Sequence, residues 1–285
     1  MKTDADLLVL QDEAMRLTLA PHVGGSIREL TWRGEHVLRP ASAGATDDPF
    51  EMACFPMVPF ANRIARGCFD FDGQTVCLAP NWSADPHPLH GQGWRAAWTV
   101  TAASASAATL TFEGGGDEWP WRYCCEQRLE LAHGALAVEL SIRNMSSGPM
   151  PAMLGLHPYF PDAHRAELRA RLPRVWRTDG DALPLEETAT PPEWHFDPPR
   201  PLRSVSLDHC LSGWNGVAVL SWPERSLTLR AAHCSHLHVY APAGRDFFCV
   251  EPQSAAAGAL GRGDATVVSS GERFAIAVRF APGAA

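Results

Sequence analysis

No run of Lys or Arg occurs in this 285-residue chain, whose formal charge is -8. Without a basic stripe there is no electrostatic footprint for a phosphate backbone or an anionic bilayer, which argues against nucleic acid and membrane surfaces as partners. Long apolar runs are missing too: nothing approaches the roughly 20 residues that span a bilayer. The apolar stretch within Met1–Leu10 is cut short by Gln11-Asp12-Glu13, too soon for a signal peptide, and the expectation is a soluble cytoplasmic protein. Cys-x-x-Cys spacing, the mark of many zinc and redox sites, is also absent. The eight cysteines are scattered in apolar stretches (Cys54, Cys68, Cys77, Cys249) and are expected to be reduced core thiols. Adjacent Cys124 and Cys125 would point to opposite faces of a strand, which makes a bridge between them improbable. No window of twelve residues carries a helical stripe, and no repeat of fixed period occurs.

What is present is alternation. Met15-Arg-Leu-Thr-Leu19, Leu136-Ala-Val-Glu-Leu-Ser-Ile142 and Phe274-Ala-Ile-Ala-Val-Arg-Phe280 each place apolar residues at every second position, the pattern of half-buried strands. Asp72-Gly73 and Pro223-Glu-Arg-Ser226 separate such runs and read as hairpin turns. With 24 prolines and 23 glycines punctuating the chain, the expected fold is all-β, mostly antiparallel, with long loops, in a single domain over residues 1–285. The proline-rich stretch from Asp179 to Pro201 reads as a long loop crossing one sheet rather than an interdomain linker, because its Trp194 and Phe196 need a surface to pack on.

Against this pattern a few polar residues stand out. Glu251 follows the apolar run Phe247-Phe248-Cys249-Val250 and precedes Pro252, so a buried strand delivers one carboxylate into a site. A lone histidine among twelve is more often structural than catalytic, but His157 lies in Gly155-Leu-His-Pro-Tyr-Phe160, where glycine and proline fix the backbone and aromatics exclude water; such an imidazole can be tuned for proton transfer. His90, in Pro88-Leu-His-Gly91, is rigidified in the same way. Arg63, in Asn62-Arg-Ile64, offers a planar fork of donors that suits adjacent hydroxyls, although covering a sheet end is the plainer role. Asp208 breaks an apolar pattern and could accept from vicinal hydroxyls. His236 and His238 share one face of a strand, but no third ligand marks a metal site and the run continues as an ordinary strand. Trp94, Trp119, Trp121 and Trp214 offer flat faces on which a sugar could stack, and core packing is the commoner use of such rings.

In their order and conjunction, Asn62-Arg63, Leu89-His90-Gly91, His157-Pro158-Tyr159-Phe160 and Glu251-Pro252-Gln253 resemble the motifs of the aldose 1-epimerase (galactose mutarotase) family, over about Met15 to Phe280. The resemblance implies a galactose mutarotase-like β-supersandwich and a sugar isomerase that needs neither metal nor cofactor, acting on a monosaccharide as a monomer or homodimer. It implies Glu251 as general base, His157 as general acid, and Asn62, Arg63, His90 and Asp208 as the substrate-holding set. The context Leu-His-Gly-Gln92-Gly-Trp-Arg95 looks like a shorter bacterial branch. Ring opening of a hemiacetal then requires an ionised Glu251 and a cationic His157 on opposite sides of the sugar, each charge favouring the other. Three other readings stay open. A hexose-6-phosphate mutarotase would add a phosphate clamp, with Arg95 or Arg122 as candidates; a non-catalytic sugar-binding sandwich would not need both Glu251 and His157; and a glycosidase would use Asp208 and Glu251 as paired carboxylates.

Overall fold

Strand alternation becomes sheet wherever two such runs are joined by a turn of the right hand. Tyr123–Ala132 and Ala135–Asn144 pair antiparallel from Tyr123 opposite Asn144 to Ala132 opposite Ala135, and every odd-numbered residue of the first strand is buried. The connecting His133-Gly134 has positive φ at both positions (53° and 65°), as a two-residue hairpin with right-handed strand twist requires. A computed structural model describes residues 7–42, 44 and 47–285, so residues 1–6 of the N-terminal stretch considered above lie outside the described residues.

Two large antiparallel sheets dominate. The eleven-stranded sheet runs from the edge Leu8–Gln11 through Met15–Ala20 and Ser26–Trp32 to five central strands, then Arg174–Thr178 and the far edge Pro184–Ala189; Glu35–His36 pairs on the side of Ser26–Trp32. The central strands, the only ones numbered here, are β1 (Cys54–Met57), β2 (Gly155–Pro161), β3 (Leu207–Ser212), β4 (His236–Ala241) and β5 (Phe247–Gln253), in the spatial order β1-β2-β5-β4-β3. The nine-stranded sheet has Phe196–Pro201 and Thr99–Ala103 at its edges and Arg273–Ala284 near its middle. One face of each sheet is buried against the other in a continuous core holding Phe160, Phe248, Leu140, Leu229 and Phe280. Trp222 bridges the layers, its ring 6.3 Å from that of Phe248 and its Nε1 donating to Pro161 O at 3.2 Å.

This is the all-β, mostly antiparallel fold that the sequence led us to expect, and Ala259–Arg262 is the sole α-helix among the described residues. No helix among them is long and apolar enough to cross a membrane. Two expectations need correction. The stretch Asp179–Pro201 is not a single loop over one sheet: it forms Pro184–Ala189 on an edge of the first sheet and Phe196–Pro201 on an edge of the second. Edge strands tolerate proline because one row of their backbone groups has no ladder partner to lose. Its aromatics do find surfaces, Phe196 in the core and Trp194 edge-on to His209 with ring centroids 4.7 Å apart. The second correction concerns cysteine. Cys68 and Cys77 are exposed and joined by a disulfide, because the Asp72-Gly73 turn sets them opposite one another with Cα atoms 4.2 Å apart. Cys54, Cys125, Cys210, Cys234 and Cys249 are buried free thiols, as expected, and Cys124 is a half-buried one.

Candidate active site

The site is one row of side chains across the central strands of the eleven-stranded sheet. His157 lies opposite Phe55 of β1, the β2–β5 register puts it level with Glu251, and Glu251 is opposite His238, which is opposite Cys210. Because side chains alternate between faces, these residues share one face of the sheet, while Phe160, Phe248 and Val250 project from the other, into the core between the sheets. The flanking rows bring Tyr159, Cys249, Tyr240 and Asp208 to one side, and Gln253 and His236 to the other.

Glu251 and His157 are in direct contact, Oε1 to Nε2 3.4 Å, with both side chains nearly sealed from solvent. Gln253 Nε2 donates to the other carboxylate oxygen at 3.2 Å. Burial, with Asp208 adding to it, raises the Glu251 carboxyl to about 7 against the pull of His238. Burial and the charge of His238 push His157 down to about 3. The two groups therefore titrate as a pair that holds one proton near neutrality. The two groups touch directly, and desolvation of the sealed imidazole outweighs the attraction of its neighbour, which disfavours a cationic His157. Phe55 and Tyr159 flank the His157 ring, with centroids at 4.6 and 4.7 Å and planes within 30° of parallel. Its Nδ1 is buried without a hydrogen-bond partner, and Nε2 is the nitrogen turned toward Glu251.

A second segment closes one side. Residues 62–64 lie antiparallel to 88–90, with His90 N donating to Asn62 O at 3.1 Å and Asn62 N donating to His90 Nδ1 at 3.1 Å. That bond fixes the His90 tautomer, so its proton sits on Nε2. Burial, with cationic neighbours such as Arg63, lowers the pKa of the ring well below its ordinary value and favours the neutral form. Both residues adopt positive φ (62° at Asn62, 57° at His90), a costly conformation that their mutual bonds hold in place. Gly91 follows at φ 75°, where a Cβ would meet Val58 O at 2.3 Å, so only glycine fits. Trp94 Nε1 donates to both Leu89 O and Gly91 O at 3.0 Å and locks the turn from behind. Asn62 spends its side chain inside the protein, its Oδ1 accepting from Arg63 N at 2.8 Å and its Nδ2 reaching His238 Nδ1 at 3.4 Å.

Arg63 donates through Nε to Asp85 at 2.7 Å, and Asp85 also accepts from His87 N at 2.9 Å. The buried carboxylate of Asp85 thus aims a guanidinium that remains partly open to solvent. Across the row, Asp208 accepts from His238 Nε2 at 2.8 Å and keeps about half of its side chain exposed. Although burial opposes it, the bond and charge of His238 hold the Asp208 carboxyl below its ordinary range.

All six residues singled out from sequence are therefore gathered at one place, and three others join them. His238 sits in the central row, Asp85 orients Arg63, and Gln253 supports Glu251. Gln253 was readable as the same-face neighbour two positions past Glu251. His238 carried the alternation signal, but its meaning lies in a partner strand; Asp85 had no local signal at all. Of the tryptophans considered, Trp94, Trp119 and Trp214 are core and Trp121 packs against it. Arg95 and Arg122 line a separate cavity of about 570 Å³ with Glu113 and Glu118, away from the row, and Arg95 is paired with Glu118 at 2.8 Å. His157, Cys249 and Glu251 bring potential ligand atoms within 4.8 Å of one another.

Comparison with known proteins agrees with this architecture. The family model for aldose 1-epimerase matches residues 6–281. The uncharacterized protein YphB of Escherichia coli K12 is 33% identical over 244 residues, covering 81% of this chain and 82% of its own. A crystal structure from the same organism, of a protein provisionally described as an aldose 1-epimerase, superposes with a TM-score of 0.92 at 27% identity, covering 98% of this chain and 99% of that one. Galactose 1-epimerase from Lactobacillus acidophilus shares the fold at a TM-score of 0.84 and 16% identity, covering 100% and 97% of the two chains. The chain belongs to the aldose 1-epimerase family.

Proposed function

We propose that this member of the aldose 1-epimerase family is a mutarotase, interconverting the α and β anomers of a free aldose with Glu251 as general base and His157 as general acid. The contact between Glu251 Oε1 and His157 Nε2 carries the reading. In a cyclic aldose, the anomeric oxygen O1 and the ring oxygen O5 are both bonded to C1. A base for one and an acid for the other must therefore be neighbours, and a pair holding one proton between them has the right inventory.

In the reacting state the proton is on His157 Nε2 and Glu251 is ionised. Glu251 takes the proton of O1–H as the C1–O5 bond breaks and C1=O1 forms, while His157 gives its proton to O5. The open aldehyde turns about C1–C2. O5–H then attacks the other face of C1, returning its proton to His157 while protonated Glu251 reprotonates O1. Each general catalyst of this kind supplies about 10²–10⁴-fold, so the pair suffices for a useful rate. His90 Nε2–H, the Arg63 guanidinium aimed by Asp85 and the open oxygen of Asp208 are suited to the sugar hydroxyls, and Asn62 serves by fixing His90 and His238. Only the singly protonated pair is competent, so kcat/KM should fall as pH rises through about 7, where the proton leaves.

Polarimetry of freshly dissolved α-glucose, α-galactose and their 6-phosphate esters tests activity and substrate together. Acceleration of the free sugars is expected; exchange at the solvent rate for every sugar would end the proposal, and acceleration confined to the esters would move it to sugar phosphates.

A further inference from the structure

We propose that Arg39 is a positioning residue for the acid of the pair: its guanidinium fixes the plane of the Tyr159 ring, and that ring holds the His157 imidazole at the angle from which Nε2 reaches Glu251. The inference rests on the acid–base reading of His157 and adds a residue from outside the row.

An imidazole that moves protons at one nitrogen is ordinarily aimed by a hydrogen bond at the other. His157 has no such bond: Nδ1 is buried without a partner, and Nε2 meets Glu251 at 3.4 Å, longer than an ordinary hydrogen bond. Its aim therefore comes from the rings stacked against it, Phe55 with centroids 4.6 Å apart and Tyr159 at 4.7 Å. Phe55 is backed by Phe50 and Trp94, whose rings lie 5.7 and 5.6 Å away. Tyr159 follows His157 by two residues on β2, where side chains on one face stand about 6.6 Å apart along the strand. Their rings are closer than that, so they lean together, and Tyr159 needs a brace to keep its ring in that plane.

Arg39 supplies the brace. Its guanidinium carbon lies over the Tyr159 ring, 4.0 Å from the centroid, and 5.0 Å from the centroid of Phe247 on β5. Nη2 donates to Phe50 O at 2.8 Å and to Met52 O at 3.0 Å, and the backbone N–H of Arg39 donates to Tyr159 O at 2.8 Å. Tyr159 N in turn donates to Ala53 O at 2.9 Å, so the residue under the guanidinium is pinned through its main chain on both sides. A planar fork can donate to two carbonyls along its edge while its face covers a ring, which a lysine ammonium cannot do. Misaiming the acid slows the chemical step and leaves sugar binding to Arg63, His90 and Asp208, so the expected loss is in kcat and not in KM.

Arg39→Met and Arg39→Lys, assayed by polarimetry on freshly dissolved α-anomers, should each lower kcat by about 10–10²-fold, the cost of a misplacement of about 1 Å, with KM within about twofold. Tyr159→Leu should do the same, and Tyr159→Phe, which keeps the ring, should lose far less. Arg39→Met combined with Tyr159→Leu should be no slower than Tyr159→Leu alone, because both changes remove one plate. Wild-type kcat in a folded Arg39 variant, or losses that multiply in the double variant, overturns the proposal. Equal kcat in Tyr159→Leu and Tyr159→Phe overturns it as well, whether or not the Arg39 variants fold. The ring protons of His157, followed by NMR, should move in Arg39→Lys from the position shielded by Tyr159 toward that of free imidazole, and an unchanged position overturns the proposal. Should the wild-type protein fail to accelerate anomer exchange, the mutarotase reading falls while those protons still decide whether Arg39 sets the place of the imidazole.

Discussion

The outward faces of the two large sheets follow the same alternation and arrive at opposite electrostatics. On the nine-stranded sheet, Arg128 pairs with Glu126 at 2.7 Å and Arg273 with Glu139, and all four side chains keep substantial exposure. Water and screening there reduce each pair to a small energy. On the eleven-stranded sheet, Glu251, His157 and His238 occupy outward positions but are buried beside the segments carrying Asn62, Arg63 and His90, and all three are displaced from their ordinary protonation behaviour by burial and by their neighbours, with Glu251 raised to about 7. The difference lies in what covers the strand, not in the strand itself. A covered charge is poised for proton transfer and costs stability; an exposed one does neither.

Substitutions at matched positions break the comparison most sharply at the covered face. Glu251→Gln or His157→Asn should lower kcat by about 10²–10⁴-fold, read by polarimetry, and near-normal kcat in either would separate the pair from the chemistry. The same Glu251→Gln change should raise stability above neutral pH. The folded protein holds the Glu251 proton more tightly than the unfolded chain does, so the wild type loses stability as pH rises from about 4.5 to about 7. At about 1.4 kcal/mol per pH unit, this amounts to on the order of 3 kcal/mol, which urea unfolding at pH 5 and pH 8 would read as a gap that opens only at the higher pH. Asp85→Asn frees the Arg63 guanidinium without touching the pair, and should raise KM several-fold with kcat within about twofold, the split expected for lost substrate binding. On the exposed face, Arg273→Ala should change unfolding free energy by no more than about 1 kcal/mol and leave mutarotation unaltered.

Local pattern carried the fold well because alternation, turn residues and the absence of helical stripes are properties of a few consecutive residues. It faltered where a residue type has two meanings. Prolines near Pro184 and Pro198 can mark a loop or an edge strand, and only the position of that strand in its sheet distinguishes them. Cys68 and Cys77 looked like core thiols in apolar runs, yet the turn between them puts both on the exposed side of a short hairpin. The site was legible where glycine or proline stiffened the backbone around a polar residue, as at His157, His90 and Glu251.

From the chain alone came the all-β class, the hairpin turns, and the residues able to take and give a proton. Folding decided which of them share a row, that Glu251 touches His157, and that His238 and Asp85 belong with them. Sequence encodes which face a side chain takes through a period of two, but neighbours across a sheet come from strands far apart in the chain. Protonation depends on those neighbours and on what shuts out water, and both exist only once the sheets have closed.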